Sequence, residues 1–170
     1  MRVLDVGCGT GTHLELYVKK GCRGYGIDTS PAMLNRARHR LGDRAELHLG
    51  DAAGLPCPDG SFDLVVAATL LHELDRTTRQ AALAEMARVM ADDGRLLVID
   101  FHAGGLRGLK GRLLRGFSVV TELVAGLTHY RHYRVFIASG GVPGIVLANG
   151  LAIEQEKVVA GGNIGLYVLR

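Results

Sequence analysis

The chain has 170 residues, enough for one domain with a substantial buried core, and its apolar runs are too short to span a bilayer. A net charge of +3, with no tryptophan and only 5% aromatic residues, supplies little for nucleic acid binding, so no nucleic acid partner is expected. Three cysteines without metal-type spacing, and no signal peptide pattern before the first strand, predict a cytoplasmic protein.

Strand and helix patterns alternate through the first hundred residues. Ser30 is a favourable N-cap and Pro31 a favourable first residue for the second helix, while Asp92-Asp93-Gly94 predicts a turn. Alternation of this kind predicts an α/β fold with a doubly wound parallel sheet, whose ligand sites lie at the carboxyl ends of the strands. Strands are predicted at residues 2–6, 24–28, 45–49, 62–68 and 94–101, and helices at 12–20, 31–41 and 77–90.

The character of the chain changes after Phe101. Residues 102–135 contain six basic residues and one acidic residue, Glu122, and apolar residues recur there every three or four positions. This pattern predicts a basic amphipathic helix over 106–127. Three interpretations are open: the helix is a cap whose apolar face closes on a hydrophobic substrate, it rests on an anionic membrane surface, or it packs on the sheet with its basic residues in water.

The C-terminal part continues with helix and strand patterns. A second helix is predicted over about 130–139, and the glycine-rich residues 140–144 are expected to end it. The segments 152–160 and 164–169 predict a β-hairpin. No linker pattern separates these parts, so one domain over all 170 residues is expected, with 102–145 as a substrate-cap insertion.

A glycine-rich segment, Asp5-Val6-Gly7-Cys8-Gly9-Thr10-Gly11, joins the first predicted strand to the first predicted helix. Glycines at alternate positions permit a tight strand-to-helix turn with no Cβ to keep a ligand away, and the helix N-terminus offers free N–H groups. Asp28 ends the second strand, 21 residues after Gly7, close to the spacing at which a βαβ unit presents an acid to ribose hydroxyls. The chain is therefore predicted to open with a nucleoside-binding βαβ unit.

These residues and the segments that follow resemble the class I S-adenosylmethionine-dependent methyltransferases. A nicotinamide site would read G-x-G-x-x-G, whereas the glycines here are spaced G-x-G-x-G, so a dinucleotide oxidoreductase is disfavoured. The resemblance implies an enzyme that uses S-adenosylmethionine, with a doubly wound, mostly parallel seven-stranded sheet that ends in an antiparallel C-terminal hairpin. The matching segments, in order, are 3–11, 26–34, 50–56, 61–66, 83–90 and 94–100.

The same resemblance implies roles for ten residues at the strand ends. The glycine loop would hold the methionine end of the cofactor, Asp28 would accept hydrogen bonds from both ribose hydroxyls, and Asp51 with the next residue would recognise the adenine edge. Ala67 would contribute a backbone carbonyl, and Thr29 and Met33 would line the adenine pocket, although core packing explains Met33 equally well. The predicted cofactor-binding residues are Asp5, Gly7, Gly9, Gly11, Asp28, Thr29, Met33, Asp51, Ala52 and Ala67.

Histidines are the candidate bases. Methyl transfer from a sulfonium needs mainly alignment, and deprotonation matters when the acceptor is a hydroxyl or a carbon acid. His102 follows the fifth strand and His72 opens the loop after the fourth, so these two are the predicted catalytic residues, each with a structural alternative. His129 and His132 lie in a run of tyrosine and arginine that would bind a planar or anionic substrate or form a solvated helix surface. No metal site is predicted beside them.

The sequence does not specify the methyl acceptor. The loop after the fourth strand lacks the N/D-P-P-Y/F tetrapeptide of nucleobase amine methyltransferases, which disfavours a DNA or RNA base. A small-molecule acceptor is therefore predicted, and the alternative is a cofactor-binding but inactive partner or regulatory subunit. Relatives usually carry helices before the first strand, whereas Met1 stands at the strand here, so an exposed sheet face and a homodimer are also expected.

Overall fold

The computed structural model describes residues 1–147 and 149–170, which fold around one seven-stranded β-sheet. Short 3₁₀ turns at Gly42–Arg44 and Ala160–Gly162 connect neighbouring elements. Among the residues described, no helix combines the length and the apolarity that crossing a membrane requires. In chain order the elements are β1 (Arg2–Val6), α1 (Thr12–Val18), β2 (Arg23–Asp28), α2 (Pro31–Leu41), β3 (Ala45–Leu49), β4 (Phe62–Ala68), α3 (Arg76–Val89), β5 (Met90–Phe101), α4 (Gly108–Ala125), α5 (Leu127–Ala138), α6 (Gly141–Leu147), β6 (Ile153–Val159) and β7 (Ile164–Leu169).

The strand order is β3-β2-β1-β4-β5-β7-β6, and β1 to β5 are parallel. β7 runs antiparallel between β5 and β6, so the C-terminal hairpin forms one side of the sheet. The chain builds outward from β1 to β3 and then places β4 on the other side of β1, which makes the β1–β4 boundary a topological switch point. The predicted doubly wound, mostly parallel sheet with an antiparallel hairpin is confirmed.

Apolar layers pack on both faces of the sheet. On one face, β1 and β4 pack against α1 and α2 through Val3, Val66, Leu14 and Leu41. The opposite face carries the larger layer, in which the strands meet α3, α5 and α6 through Leu83, Met86, Phe136, Val142 and Val146. Burial on both faces explains the nearly unbroken apolar runs of β4 and β5.

One predicted turn is wrong, and one helix, α6, was not predicted. The helices α4 and α5, which meet at Gly126, confirm the two predicted helices. The turn expected at Asp92-Asp93-Gly94 lies inside β5, because this strand already begins at Met90, which pairs with Phe62 across an irregular step in the register. The glycine-rich residues 140–144 end α5, as predicted, and they also begin α6. Gly141 there has a left-handed φ of 63°, and burial of the apolar residues that follow stabilises the new helix.

The sheet carries an open groove on the face of β1, β2 and β3 that lies away from α1 and α2. The groove has a volume of about 310 Å³ and runs between the strands and the loop after β3. Leu4 pairs with Tyr25 in the register, and Ile27 pairs with His48, and all four line the groove. His48 is exposed there, whereas Leu4 and Ile27 are buried, so the expected exposure of a sheet face stays a prediction.

Candidate active site

A cleft of about 410 Å³ opens at the carboxyl ends of the parallel strands, at the topological switch point. Small-molecule and cofactor sites have volumes of roughly 300–1,000 Å³. Seven of the ten predicted cofactor-binding residues line it, whereas Asp5, Gly11 and Ala67 lie outside its described lining. The lining residues are Gly7, Gly9, Ile27, Asp28, Thr29, Ser30, Met33, Gly50, Asp51, Ala52, Ala68, Thr69, Leu70, Glu73 and Leu74.

The glycine loop between β1 and α1 forms one side of the cleft. Gly7, Gly9 and Gly11 have left-handed φ angles of 70°, 51° and 74°, which glycine adopts without strain. A Cβ on Gly9 would meet no atom within 4 Å, so this residue leaves its backbone open to the cleft. A Cβ on Gly11 would instead press against Leu41 of α2. The loop therefore combines a glycine that faces the cleft with one that permits helix packing.

Asp28 joins the glycine loop to the loop after β2. The N–H of Gly9 donates to Oδ2 of Asp28 (2.8 Å), and the N–H of Ser30 donates to Oδ1 (2.8 Å). An ionised carboxylate offers about four lone-pair directions. Each oxygen therefore retains one acceptor direction, and the residue lines the cleft. This arrangement suits a ligand that presents two neighbouring hydroxyl donors.

The loop after β3 places Asp51 and Ala52 in the cleft. The N–H of Gly50 donates to the carbonyl of Asp28 (3.1 Å), which fixes the start of this loop to the end of β2. Oδ1 of Asp51 accepts from the N–H of Ala53 (2.9 Å), so the carboxylate is oriented by its own turn. The predicted adenine-recognition residues are thus held next to the predicted ribose-binding residue.

Two residues of α3 hold the far end of the same loop, and neither was assigned a role from the sequence. Oε2 of Glu85 accepts from the N–H of Leu55 (2.8 Å) and lies 2.7 Å from the Arg88 guanidinium. Arg88 in turn donates to the carbonyls of Leu55 (3.0 Å) and Cys57 (2.8 Å). The hydrogen bond from Arg88 lowers the pKa of Glu85 to about 2, so this clamp is charged throughout the neutral range.

Asp5 precedes the glycine loop and is almost fully buried. Its Oδ2 has no hydrogen-bond partner among the described residues. Burial chiefly, and the negative charge of Asp28 in addition, raise the pKa of Asp5 to about 7. An unpartnered carboxylate oxygen at this position fits the predicted role of Asp5 beside the methionine end of the cofactor.

The loop between β4 and α3, where methyl transfer is predicted, forms a wall of the cleft, but the part played by Glu73 and Leu74 in it was not predicted. Thr69 has a left-handed φ of 53°, and Leu70, Glu73 and Leu74 follow it along the cleft. Burial, which outweighs the attraction of His72, raises the pKa of the Glu73 carboxyl. Glu73 is exposed in the cleft, and a carboxyl group with a raised pKa at such a position is a candidate proton acceptor. The available signal in the sequence was only its place beside His72.

Arg79 of α3 holds this wall in place. Its buried guanidinium donates to the carbonyls of Leu71 and Leu74, both at 2.6 Å, and lies 5.0 Å from the centre of the Phe136 ring. Burial lowers the pKa of Arg79. The charge is accommodated because the loop carbonyls and the aromatic face replace the water that it loses. Arg79 is therefore a positioning residue for the cleft wall.

His72 is buried and links β5 to α4. Its Nδ1 lies 2.7 Å from Oδ1 of Asp100, and its Nε2 lies 3.6 Å from Oε1 of Glu122. Burial disfavours the charged ring, but the hydrogen bond to Asp100 and the charges of Asp100 and Glu122 outweigh it and raise the pKa of His72. The ring also meets Phe101 edge-on, with centres 4.7 Å apart. These contacts describe a buried link, and the catalytic role of His72 stays a prediction.

His102 contacts the C-terminal hairpin. Its Nδ1 lies 2.8 Å from the hydroxyl of Tyr167 in β7 and 3.7 Å from Oε1 of Glu156 in β6. The described lining of the cleft runs from Gly7 to Leu74, so neither His102 nor the predicted cap region lies in it. Both roles stay predictions, and seven of the predicted cofactor-binding residues are brought together without the predicted catalytic ones.

This strand order, with acceptor groups and a glycine loop around a cleft at the switch point, defines a nucleoside-binding enzyme of the methyltransferase class. Residues 3–94 match a family model described as the methyltransferase domain. The chain therefore belongs to this family and to the class I S-adenosylmethionine-dependent methyltransferases, and S-adenosylmethionine is the cofactor of that class. The resemblance seen in the sequence is confirmed.

Relatives with assigned activities support this membership. Over 183 residues the chain is 32% identical to a ubiquinone/menaquinone biosynthesis C-methyltransferase from Methylobacterium nodulans, and the match covers 98% of this chain and 71% of the relative. Over 139 residues it is 31% identical to a malonyl-[acyl-carrier protein] O-methyltransferase from Serratia marcescens, covering 77% of this chain and 53% of the relative. The chain thus spans between about half and about 70% of the length of these two relatives.

Solved structures share the fold. The PH0226 protein from Pyrococcus horikoshii superposes with a TM-score of 0.75 at 21% identity, over 99% of this chain and 81% of that one. The 1,6-didemethyltoxoflavin-N1-methyltransferase from Burkholderia thailandensis, solved with 1,6-didemethyltoxoflavin and S-adenosylhomocysteine, gives 0.70 at 17% identity, over 99% and 70% of the two chains. At these identities the likeness establishes the fold alone.

Proposed function

We propose that this chain binds S-adenosylmethionine in the 410 Å³ cleft and transfers its methyl group to a small-molecule acceptor. The observation that carries the proposal is Asp28, which has one acceptor direction left on each oxygen and stands in the cleft beside the glycine loop. Asp28 would hold the ribose, Asp51 and the Ala52 N–H would recognise the adenine, and Gly9 would admit the methionine end next to Asp5.

The contribution of the protein to such a reaction is mainly alignment. The cofactor supplies an activated methyl group on a sulfonium. Holding the acceptor in line with it contributes up to roughly 7–11 kcal/mol to lowering the barrier. The side chains of Leu70 and Leu74 would exclude water from the cleft wall, and Glu73 would take the proton of an acidic acceptor. Arg79 would hold this wall at a fixed position opposite the glycine loop through its hydrogen bonds to Leu71 and Leu74.

The acceptor class is inferred from the wall and from the relatives. The names of two relatives and one structural neighbour specify three different acceptor atoms. They are a ubiquinone/menaquinone C-methyltransferase, a malonyl-[acyl-carrier protein] O-methyltransferase and a 1,6-didemethyltoxoflavin N1-methyltransferase. In this chain, two leucines flank Glu73 in the cleft. This wall suits a partly apolar molecule with an acidic proton, such as a phenol, a quinol or an activated carbon acid.

Calorimetry and a product assay test the proposal. Calorimetric titration with S-adenosylmethionine, S-adenosylhomocysteine and NAD should show binding of the first two compounds only; binding of NAD alone would overturn the proposal. S-adenosylhomocysteine release is then measured over acids, phenols, amines and quinols. Turnover of a phenol or quinol that Glu73→Gln abolishes would support the acceptor class inferred above.

The second candidate is a cofactor-binding but inactive partner or regulatory subunit. The observation that favours it is the position of His72 and His102, whose side chains contact the core and the hairpin rather than the cleft. Cofactor binding without turnover over the whole panel would favour it. His102→Ala, and His72→Gln in parallel, test the predicted catalytic roles: a slower rate at unchanged cofactor affinity supports them. The homodimer and the cytoplasmic location also stay predictions.

A further inference from the structure

The helix α4 carries its apolar side chains outward. Leu113 and Phe117 are 65% and 68% exposed, and Leu109 and Val124 are 73% and 83% exposed. At about 100° per residue, these four residues and Val120 fall on one stripe along the helix. An ordinary surface helix turns such a stripe toward the core. The stripe of α4 is therefore an apolar surface without a partner in the described part of the chain.

Polar contacts hold the opposite face of α4 against the domain. Arg115 donates to Oδ1 of Asn163 (2.8 Å), and Glu122 lies 3.6 Å from the ring of His72. Gly111 lies so close to the backbone of the turn before β7 that a Cβ would overlap it. Because these residues fix the rotation of the helix, the apolar stripe cannot turn inward without breaking them.

Basic side chains flank the stripe. Lys110 and Arg112 are exposed and lie on its two edges, roughly 60–100° from its centre by the same helical geometry. Arg131 and Arg134 of α5 are also exposed. The one acidic residue of α4, Glu122, is turned inward to His72. The outward face is thus apolar along its centre and positively charged at its edges.

We propose that the outward face of α4 docks this protein on an anionic lipid bilayer. Leu113 and Phe117 would enter the boundary between headgroups and acyl chains, and the flanking basic residues would contact acidic headgroups. Charge favours this partner over a second copy, because a two-fold interface through the same face would join two surfaces of the same positive sign, whereas acidic headgroups complement it. The inference goes beyond the proposed function and does not depend on cofactor binding.

A single fluorophore can report the docking. The chain contains no tryptophan, so Phe117→Trp places one indole in the stripe, and Leu16→Trp places one at a residue of α1 that is 58% exposed. The probes are vesicles of phosphatidylcholine alone and of phosphatidylcholine mixed with phosphatidylglycerol. With the anionic vesicles, emission of the Phe117→Trp protein should move to shorter wavelength and resist acrylamide quenching. An equal shift for Leu16→Trp would overturn the assignment to α4.

Sedimentation with the same vesicles tests the two components of the surface. Leu113→Ser with Phe117→Ser should lower the partition coefficient at least about tenfold, because burial of one large apolar side chain is worth about that factor. Lys110→Glu with Arg112→Glu should abolish the preference for anionic over neutral vesicles. All four side chains are exposed, so circular dichroism and melting temperature should be unchanged.

A matched charge control and the oligomeric state complete the test. Arg36→Glu with Arg38→Glu changes the net charge by the same amount on α2, where both residues are exposed, and should leave vesicle binding within a factor of about two. Failure of the unmodified chain to sediment with anionic vesicles overturns the proposal. A dimer in solution that the Leu113→Ser and Phe117→Ser changes dissociate, without vesicle binding, overturns it in favour of self-association.

Discussion

Replacing Asp28 with alanine should weaken S-adenosylmethionine binding by about 1.5–3 kcal/mol, a factor of roughly 10–150 in Kd at 25 °C. The magnitude follows from the acceptor count of this carboxylate. Each oxygen accepts one backbone N–H, from Gly9 or Ser30, and retains one direction for a ribose hydroxyl. A hydrogen bond to a charged group contributes about 1.5–3 kcal/mol, and two that share one carboxylate do not add fully.

The same change has a second, separable effect on stability. It leaves the N–H groups of Gly9 and Ser30 without their acceptor, so the free energy of unfolding should fall by about 1–3 kcal/mol. Calorimetry below the melting transition gives Kd, and urea unfolding gives the stability. The control is Asp63→Ala, which removes a carboxylate that accepts from the N–H of Arg2 (2.6 Å) and should leave Kd unchanged. An unchanged Kd for Asp28→Ala would refute the placement of the ribose.

Four further substitutions test separate parts of the site. Asp5→Asn should raise the free energy of unfolding by up to about 4 kcal/mol at pH 8 and by less than half of that at pH 5. The pKa of Asp5 is about 7 in the folded state and 3.8 for a free carboxyl, so the native state loses stability as the pH rises between these values. Urea unfolding that shows the same increase in the free energy of unfolding at both pH values would contradict this. Glu73→Gln should lower kcat for an acidic acceptor by about 10²–10⁴ with cofactor Kd unchanged, and an unaltered rate would leave Glu73 as a wall residue. Arg79→Met should lower the free energy of unfolding by about 2–4 kcal/mol because two loop carbonyls lose a charged donor, and a loss below about 1 kcal/mol would show that the loop finds other donors. Gly9→Ala should weaken cofactor binding by about 1–3 kcal/mol, whereas Gly60→Ala, which has a similar φ of 62° outside the cleft, should cost similar stability and leave Kd unchanged.

The gathering of most predicted cofactor-binding residues at one cleft could be predicted because its determinants are local. Gly7 and Gly9 stand in a turn whose positive φ angles only glycine accepts easily, and the turn follows a strand directly. The distance to Asp28 is set by one βαβ unit. Such features depend on a few consecutive residues and on standard element lengths. The folded chain therefore forms these features as the sequence pattern predicts.

The position of His72 and His102 relative to the cleft could not be predicted, because it depends on side-chain direction. His72 and His102 do stand at the carboxyl ends of strands, as expected. Their rings, however, are directed by Asp100 and Tyr167, which come from distant parts of the chain. Glu73 was missed for the same reason. It lines the cleft because Arg79, a residue of the next helix, holds the loop that carries it. A sequence pattern predicts where strands and helices end, but the direction of a side chain can be predicted only when the residues that contact it are known.

The orientation of α4 is a further example. Periodicity correctly predicts an amphipathic helix, and the usual rule would turn its apolar stripe toward the sheet. The structure turns it outward because Arg115 and Glu122 find partners on the domain, in Asn163 and His72. Neither pairing has a local signal, since each joins residues more than 40 positions apart. Of the three interpretations that the pattern left open, packing of the apolar face on the sheet is therefore excluded.

This mode of attachment also bears on how the molecule opens. A helix that buries little hydrocarbon and is held by a few polar side chains separates from its domain at a lower free energy than the elements of the central sheet. Deuterium uptake should therefore be fast in the amides of α4 and slow in those of β1 and β4, which lie in the middle of the sheet. Changes in the sequence or length of α4 should therefore leave the shape of the cleft at the strand ends unaltered.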